Sequence, residues 1–257
     1  MSEIHVQIDQ LSLSIEGVPL LDIPFLRLDP QGPTMILGPN GAGKSLFLRV
    51  LHALQTPDTG SVQVRHISGE TARQAMVFQR PVLLRRSVRA NLRFALSAAG
   101  YARQTRCELA EKWMHQGQLA HLADQPARRL SGGEQQRLSL VRALCCNPEI
   151  LFLDEPCAHL DVNAAQHVEA LINSAIEAGI KVVMITHDRA QALVLPAIGI
   201  ATPHWFHDRA RWKTLCHPES PHDLAPASAF GAAPPRPLGG EKTTAEIDLS
   251  YSAATSA

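Results

Sequence analysis

The sequence contains no apolar run approaching the ~20 residues that a membrane-spanning helix requires. Its opening segment, MSEIHVQIDQ, mixes polar and apolar side chains without the charged-then-apolar order of a secretory leader. These absences predict a cytosolic chain that reaches a membrane only through a partner. A charge surplus is also missing. Lys+Arg and Asp+Glu balance at 24 each, so no broad basic field is available for nucleic acid. Cysteine is sparse and odd in number, five residues in no regular framework. That fits a reduced compartment and structural thiols rather than a disulfide scaffold. Cys145 and Cys146 are adjacent and cannot form a zinc site alone. No segment repeats another, so one copy of one unit is expected.

What is present is enough for a sizeable core: 257 residues, 45% of them apolar. Residues 4–30 alternate polar and apolar, with Gly17 and Pro19 as turn signals, and predict antiparallel strands. Thr34 to Leu37 predicts a short buried strand, followed by a glycine-rich turn and a helix from about Lys44. Residues 60–67 and 74–78 read as further strands. Residues 87–128 carry helical spacing and begin rich in arginine (Arg85, Arg86, Arg89, Arg93). A helix (134–145), a buried strand (149–153), a helix (162–178) and a buried strand (180–186) follow. Strands alternating with helices predict an α/β fold with a parallel core sheet. The antiparallel strands form an N-terminal subdomain and the helices a subdomain inserted at about 85–135. From 196 onward the composition changes: 62 residues hold 8 of the 18 prolines and two of the three tryptophans. Pro221 to Gly240 is rich in Pro, Ala and Gly and reads as disordered.

Three local patterns carry chemistry. Gly38-Pro39-Asn40-Gly41-Ala42-Gly43-Lys44-Ser45 fits the phosphate-loop pattern, between a buried strand and a helix as that pattern requires. Its glycines let backbone N–H groups face inward, and the helix start adds a positive dipole end. Lys44 is long enough to reach β- and γ-phosphates, and Ser45 offers a hydroxyl to Mg²⁺. The apolar run Ile150 to Leu153 ends in Asp154 and Glu155, at the strand edge where such sheets bind ligands. Asp154 is suited to hold Mg²⁺ and Glu155 to polarise an attacking water as general base. Alone, the two acids read equally well as a solvated strand end. Third, Leu130-Ser131-Gly132-Gly133-Glu134-Gln135-Gln136-Arg137 is an N-capped helix start with a bare, anion-friendly tip.

The third pattern closely resembles the signature of ATP-binding cassette ATPases, and residues 4–193 are similar to that family throughout. The resemblance implies two cassettes paired head to tail as a homodimer. Each ATP then lies between the Lys44 loop of one copy, Leu46 included, and Ser131, Gly132, Gly133 and Glu134 of the other. It implies that Gln79 senses Mg²⁺ and nucleotide and couples to a transmembrane permease. It implies that His187 contacts the γ-phosphate and that Asp161 communicates across the dimer. Taken singly, Gln79 and His187 read as an ordinary strand-end amide and a surface histidine. The resemblance further implies an ATPase on the cytoplasmic face of the membrane, fed indirectly by a solute-binding protein.

The sequence departs from this family at four places. Ile15 stands where an aromatic residue usually stacks on adenine, so π-stacking is lost. Leu46 replaces a hydroxyl residue after Lys44-Ser45 and keeps only its backbone N–H. Ala158-His159 replaces a small pair before Leu160-Asp161. Residues 194–257 lack the closing pattern of importer cassettes, as a frameshifted reading of GC-rich DNA would.

The block Met76 to Val88, with Gln79-Arg80-Pro81-Val82-Leu83-Leu84-Arg85-Arg86, is similar to tungstate-type oxyanion importers. Tungstate or a related oxyanion is therefore the expected cargo, with phosphate or an amino acid as alternatives. Arg85, Arg86 and Arg89 adjoin the expected permease surface and read equally well as a solvated basic face. A non-transport cassette protein and an ATP-binding protein without turnover are the remaining readings. The single cassette counts against the first, Glu155 and His187 against the second.

Overall fold

The computed structural model describes residues 4–186, except 29, 31, 39, 40 and 67, together with the backbone of 200 and 201. In chain order its elements are β1 (Ile4–Ile15), β2 (Val18–Leu28), β3 (Thr34–Leu37), α1 (Lys44–Leu51), β4 (Thr59–His66), β5 (Gln74–Val77), α2 (Val88–Ala98), α3 (Arg103–Gln116), α4 (Gly132–Leu144), β6 (Ile150–Asp154), α5 (Val162–Glu177), β7 (Lys181–Thr186) and β8 (Ile200–Ala201). Two short 3-10 turns, Ala120–Leu122 and Ala127–Arg129, precede α4. Among the described residues, no helix is long and apolar enough to cross a membrane.

The strands form two sheets. One is antiparallel, in the order β2-β1-β4, and the other is parallel, in the order β5-β6-β7-β3-β8. The fold is α/β, as the alternation of strands and helices predicts. The difference lies in β8, which falls in the atypical segment after residue 193 and pairs with β3 through Ile200 and Ala201. Two residues are too short to leave a periodic signal.

Period-2 alternation explains how the parallel sheet is covered on both faces. Ile150 and Phe152 of β6 face a core built from β1, β2 and α1, with Ile8, Leu11 and Phe47. Leu151 and Leu153 face the opposite core, with Leu140 of α4 and Val168 and Ile172 of α5. Each such fully buried aliphatic or aromatic side chain contributes about 1.5–3 kcal/mol. A third core, with Leu92, Leu96, Met114 and Leu138, joins α2, α3 and α4.

The antiparallel sheet depends on a bulge. Asp9 pairs with Ser61 and Ser12 with Thr59, so Gln10 and Leu11 face the single Gly60. Gly60 sits at φ +82, and a Cβ there would lie 2.3 Å from the Gln10 carbonyl oxygen. Gly60→Ala is therefore expected to destabilise the protein. The left-handed backbone alone costs about 1–3 kcal/mol. Thermal unfolding should show a melting point lower by roughly 2–12 °C, given ~2–4 °C per kcal/mol in a domain of this size.

Candidate active site

The register of the parallel sheet brings distant residues to one edge. Val77 lies opposite Leu153, Asp154 opposite Ile185 and Leu37 opposite Thr186. The loop after β3, Gln79 after β5, and Asp154 and Glu155 at the end of β6 therefore meet at the carboxyl edge. The residue after β7 is His187, which lies outside the described residues, as do Pro39 and Asn40.

The first cluster is built on α1. Gly43 precedes the helix at φ +83, a conformation that suits glycine. It turns Lys44 and Ser45 toward β6. Ser45 Oγ donates to Asp154 Oδ1 at 2.8 Å. Lys44 is only 5% exposed, and its Nζ donates to the Gly38 carbonyl at 2.7 Å. Gln79 Nε2 donates to Glu155 Oε2 at 3.2 Å. Glu155 itself is held at φ +46, with its N–H bonded to Ile185 O at 3.0 Å. A non-glycine residue in that region is strained by about 1–2 kcal/mol, and here the turn aims the carboxylate at Gln79.

Burial and charge oppose one another in this cluster. Burial lowers the Lys44 pKa, while the Glu155 and Asp154 carboxylates raise it. Burial raises the Asp154 pKa against the Ser45 hydrogen bond, and Glu155 pushes the same way while Arg49 and Lys44 oppose it. Such a carboxyl holds its proton more tightly when folded. Its ionisation therefore costs stability above the folded pKa, and the cost fades as pH falls toward the ordinary aspartate range. Asp154→Asn is expected to raise the melting point of the nucleotide-free protein at neutral pH, read by thermal unfolding. The gain should shrink as the melt is repeated at falling pH. Chemically, a buried cation, a hydroxyl, two carboxylates and an amide suit a polyphosphate with a hard divalent ion. The donors toward that ion are oxygens, as Mg²⁺ prefers, and they are few, as befits an ion that keeps waters and phosphate oxygens.

The second group of expected residues opens α4. Ser131 and Gly132 are exposed. Ser131 Oγ accepts from the Glu134 N–H, and the Glu134 carboxylate returns to the Ser131 N–H and Oγ at 2.7 and 2.8 Å. Those bonds hold the Glu134 carboxyl below its usual range. Asp161 caps α5, its Oδ1 accepting from the Ala164 N–H at 2.8 Å. His159, two residues earlier, is exposed at φ +63.

The Leu46 side chain packs against the core shared by α1 and β1. Ile15 and its cross-strand partner Val18 are both exposed, at 44% and 55%, at the tip of the β1–β2 hairpin. Arg89 is engaged by Glu111 of α3 and by Asp124 at 3.3 Å, which takes it out of the free basic face. Arg86 stays exposed, with its guanidinium 5.7 Å from the Phe94 ring centre. Among the described residues, Cys107, Cys145, Cys146 and Cys157 are free thiols.

Two residues escaped the sequence reading. Gln136 is 3% exposed, and its Nε2 donates to the Phe78 carbonyl at 3.5 Å, tying α4 to the residue before Gln79. Its signal was a polar side chain in helical phase with Leu140 and Leu144. Asn91 is fully buried; its amide donates to the carbonyls of Leu84, Arg86 and Ser87, and its Oδ1 accepts from the Leu84 N–H. It fixes the chain between Gln79 and α2, and one asparagine in a helix announces no such role.

Residues 24–158 match the family model described as ABC transporter. The chain is 33% identical over 194 residues to the taurine import ATP-binding proteins of Escherichia coli (strain K12) and Shigella sonnei (strain Ss046). Each alignment covers 74% of this chain and 76% of the relative. Among solved structures, cbiO1 from Clostridium perfringens, part of the ABC transporter complex cbiONQ, superposes with a TM-score of 0.61. It shares 23% identity, over 71% of this chain and 78% of its own. A putative metal-chelate type ABC transporter in an inward-facing conformation superposes with a TM-score of 0.62. That one shares 21% identity, over 75% of this chain and 77% of its own. Both structures share the fold. With a family model spanning more than half its length and relatives at this identity and coverage, the chain belongs to the ABC transporter family.

Proposed function

We propose that this chain is the ATP-binding and ATP-hydrolysing subunit of an ABC importer for a small oxyanion-bearing solute, tungstate or a relative of it. One observation carries the ATPase reading: Ser45 bonded to Asp154 at 2.8 Å, beside buried Lys44 and the Gln79–Glu155 pair. In this reading the loop from Gly38 to Leu46 receives the phosphates, and Lys44 leaves the Gly38 carbonyl to meet them. Ser45, Asp154 and Gln79 hold Mg²⁺, which when bound offsets the charge on the phosphate oxygens. Glu155 orients water and accepts its proton. His187 contacts the γ-phosphate. Ser131, Gly132, Gly133 and Glu134 of a second copy close the site, with Asp161 at the joint between copies. Residues 1–193 form the ATPase domain, and residues 194–257 a tail of separate character. The pair of cassettes sits on the cytoplasmic face, attached through permease subunits.

The Met76–Val88 block supports tungstate, while the relatives' names support only the wider class of oxyanion-bearing solutes. The relatives named for taurine import concern a sulfonate, itself a tetrahedral oxyanion group. The Met76–Val88 block resembles tungstate-type importers. No side chain of the ATPase reads the solute, so the test is uptake. Cells of the source organism deleted for this gene should lose uptake of labelled tungstate or of labelled taurine. Unchanged uptake of both, with Mg²⁺-dependent ATPase activity intact in the purified protein, would overturn the oxyanion assignment.

A further inference from the structure

Gly132 and Gly133 stand side by side at the start of α4 but meet different surroundings. A Cβ on Gly132 would point into open space. A Cβ on Gly133 would lie 2.6 Å from the Ala164 Cβ, closer than two carbons can approach. Ala164 belongs to the first turn of α5, and its own N–H is the donor that Asp161 accepts in capping that helix. One small residue therefore touches both the start of α4 and the Asp161 carboxylate. Neither helix can shift along this contact without the other, because α4 and α5 also share the core of Leu140, Leu144, Val168 and Ile172.

From this we infer that Ala164 is a positioning residue that sets the spacing between the Ser131-Gly132-Gly133 tip and the Asp161 cap. Gly133 is glycine to admit the Ala164 methyl, whereas Gly132 keeps its outward side clear for whatever docks on the tip. The inference rests on the proposed nucleotide-sandwich reading, in which both groups face a second copy. It separates the two glycines by what a side chain would meet: open space at Gly132, the Ala164 methyl at Gly133. It also makes the small side chain at position 164 a requirement of the site rather than an incidental feature of α5.

The test moves one methyl across the contact. In full-length protein carrying Glu155→Gln, ATP-driven dimerisation is followed by size exclusion over a range of ATP concentrations, with Mg²⁺ present. Gly133→Ala should raise the ATP concentration for half-maximal dimer at least tenfold. Ala164→Gly alone should also raise it, though by less than Gly133→Ala, because it removes the methyl that sets the spacing. Gly133→Ala with Ala164→Gly restores the methyl count at the contact and should return the value to within threefold of the parent. Gly132→Ala should be impaired and not rescued by Ala164→Gly. A double variant as weak as Gly133→Ala overturns the spacing role, as does rescue of Gly132→Ala. Melting curves run alongside should show all variants folded, and a Gly133→Ala protein that does not fold is judged by whether Ala164→Gly restores the folded dimer. If the parent fails to dimerise with ATP, the sandwich reading falls and this inference with it.

Discussion

Glu155→Gln is expected to leave a protein that binds ATP, pairs with a second copy and hydrolyses almost nothing. The loss follows from the base. A positioned side chain that takes a proton in the transition state is worth roughly 10²–10⁴-fold, and an amide takes none. Binding should survive because the substitution conserves shape, and position 155 still faces Gln79 across 3.2 Å. Charge favours it further. The Glu155 carboxylate raises the pKa of Asp154, so the two acids repel one another. Removing one lowers the negative charge that incoming phosphates must approach. The ATP-bound pair should therefore accumulate. Phosphate release would fall at least 100-fold, by the lower end of that range, while size exclusion in saturating ATP shows a dimer. A variant that stays monomeric, or that hydrolyses at the parental rate, would contradict the role given to Glu155.

Lys44→Ala is expected to fail a step earlier. The ammonium is nearly buried, and its donor is already aimed along the loop at the Gly38 carbonyl. Exchanging that carbonyl for phosphate oxygens creates charge-assisted hydrogen bonds, each worth about 1.5–3 kcal/mol. At ~1.4 kcal/mol per tenfold, two such contacts imply a fall in ATP affinity of roughly 100-fold or more. Titration calorimetry with ATP and Mg²⁺ measures this directly. The variant should also respond differently to pH. Lys44 is one of the groups holding the Asp154 pKa down. Without it, ionised Asp154 costs more, and the melting point of the variant should drop further than the parent's as pH rises from the aspartate range toward neutrality. An ATP affinity within threefold of the parent would show that the loop backbone alone carries the phosphates.

Much of the fold was legible because its signals are local. The strand from Thr34 to Leu37 falls where a short apolar run predicts it. β6 and β7, buried along their whole length, read as the unbroken apolar runs that a sheet covered on both faces demands. The start of α4 was legible in the Ser131–Glu134 capping box, which needs only a three-residue spacing. The candidate site residues were legible as motifs, since glycine turns and strand-end acids advertise themselves in order along the chain.

What stayed hidden depends on residues far apart in sequence. Nothing local says that Gln79 meets Glu155; that follows from Val77 standing opposite Leu153 across two parallel strands. Nothing local separates Gly132 from Gly133, because the difference is the methyl of Ala164 on another helix. Arg89 reads as one of four surface arginines until Glu111 and Asp124 close on it. Local pattern was enough for every element but β8, for the Ser131 cap and for the residue types available for phosphate chemistry, because backbone propensity and hydrophobic period act over a few residues. The tertiary structure alone decided which of those residues share an edge, which charges are buried together and which glycine is a spacer. Strand register and helix packing are settled by the whole core at once, and no short stretch of chain carries that information.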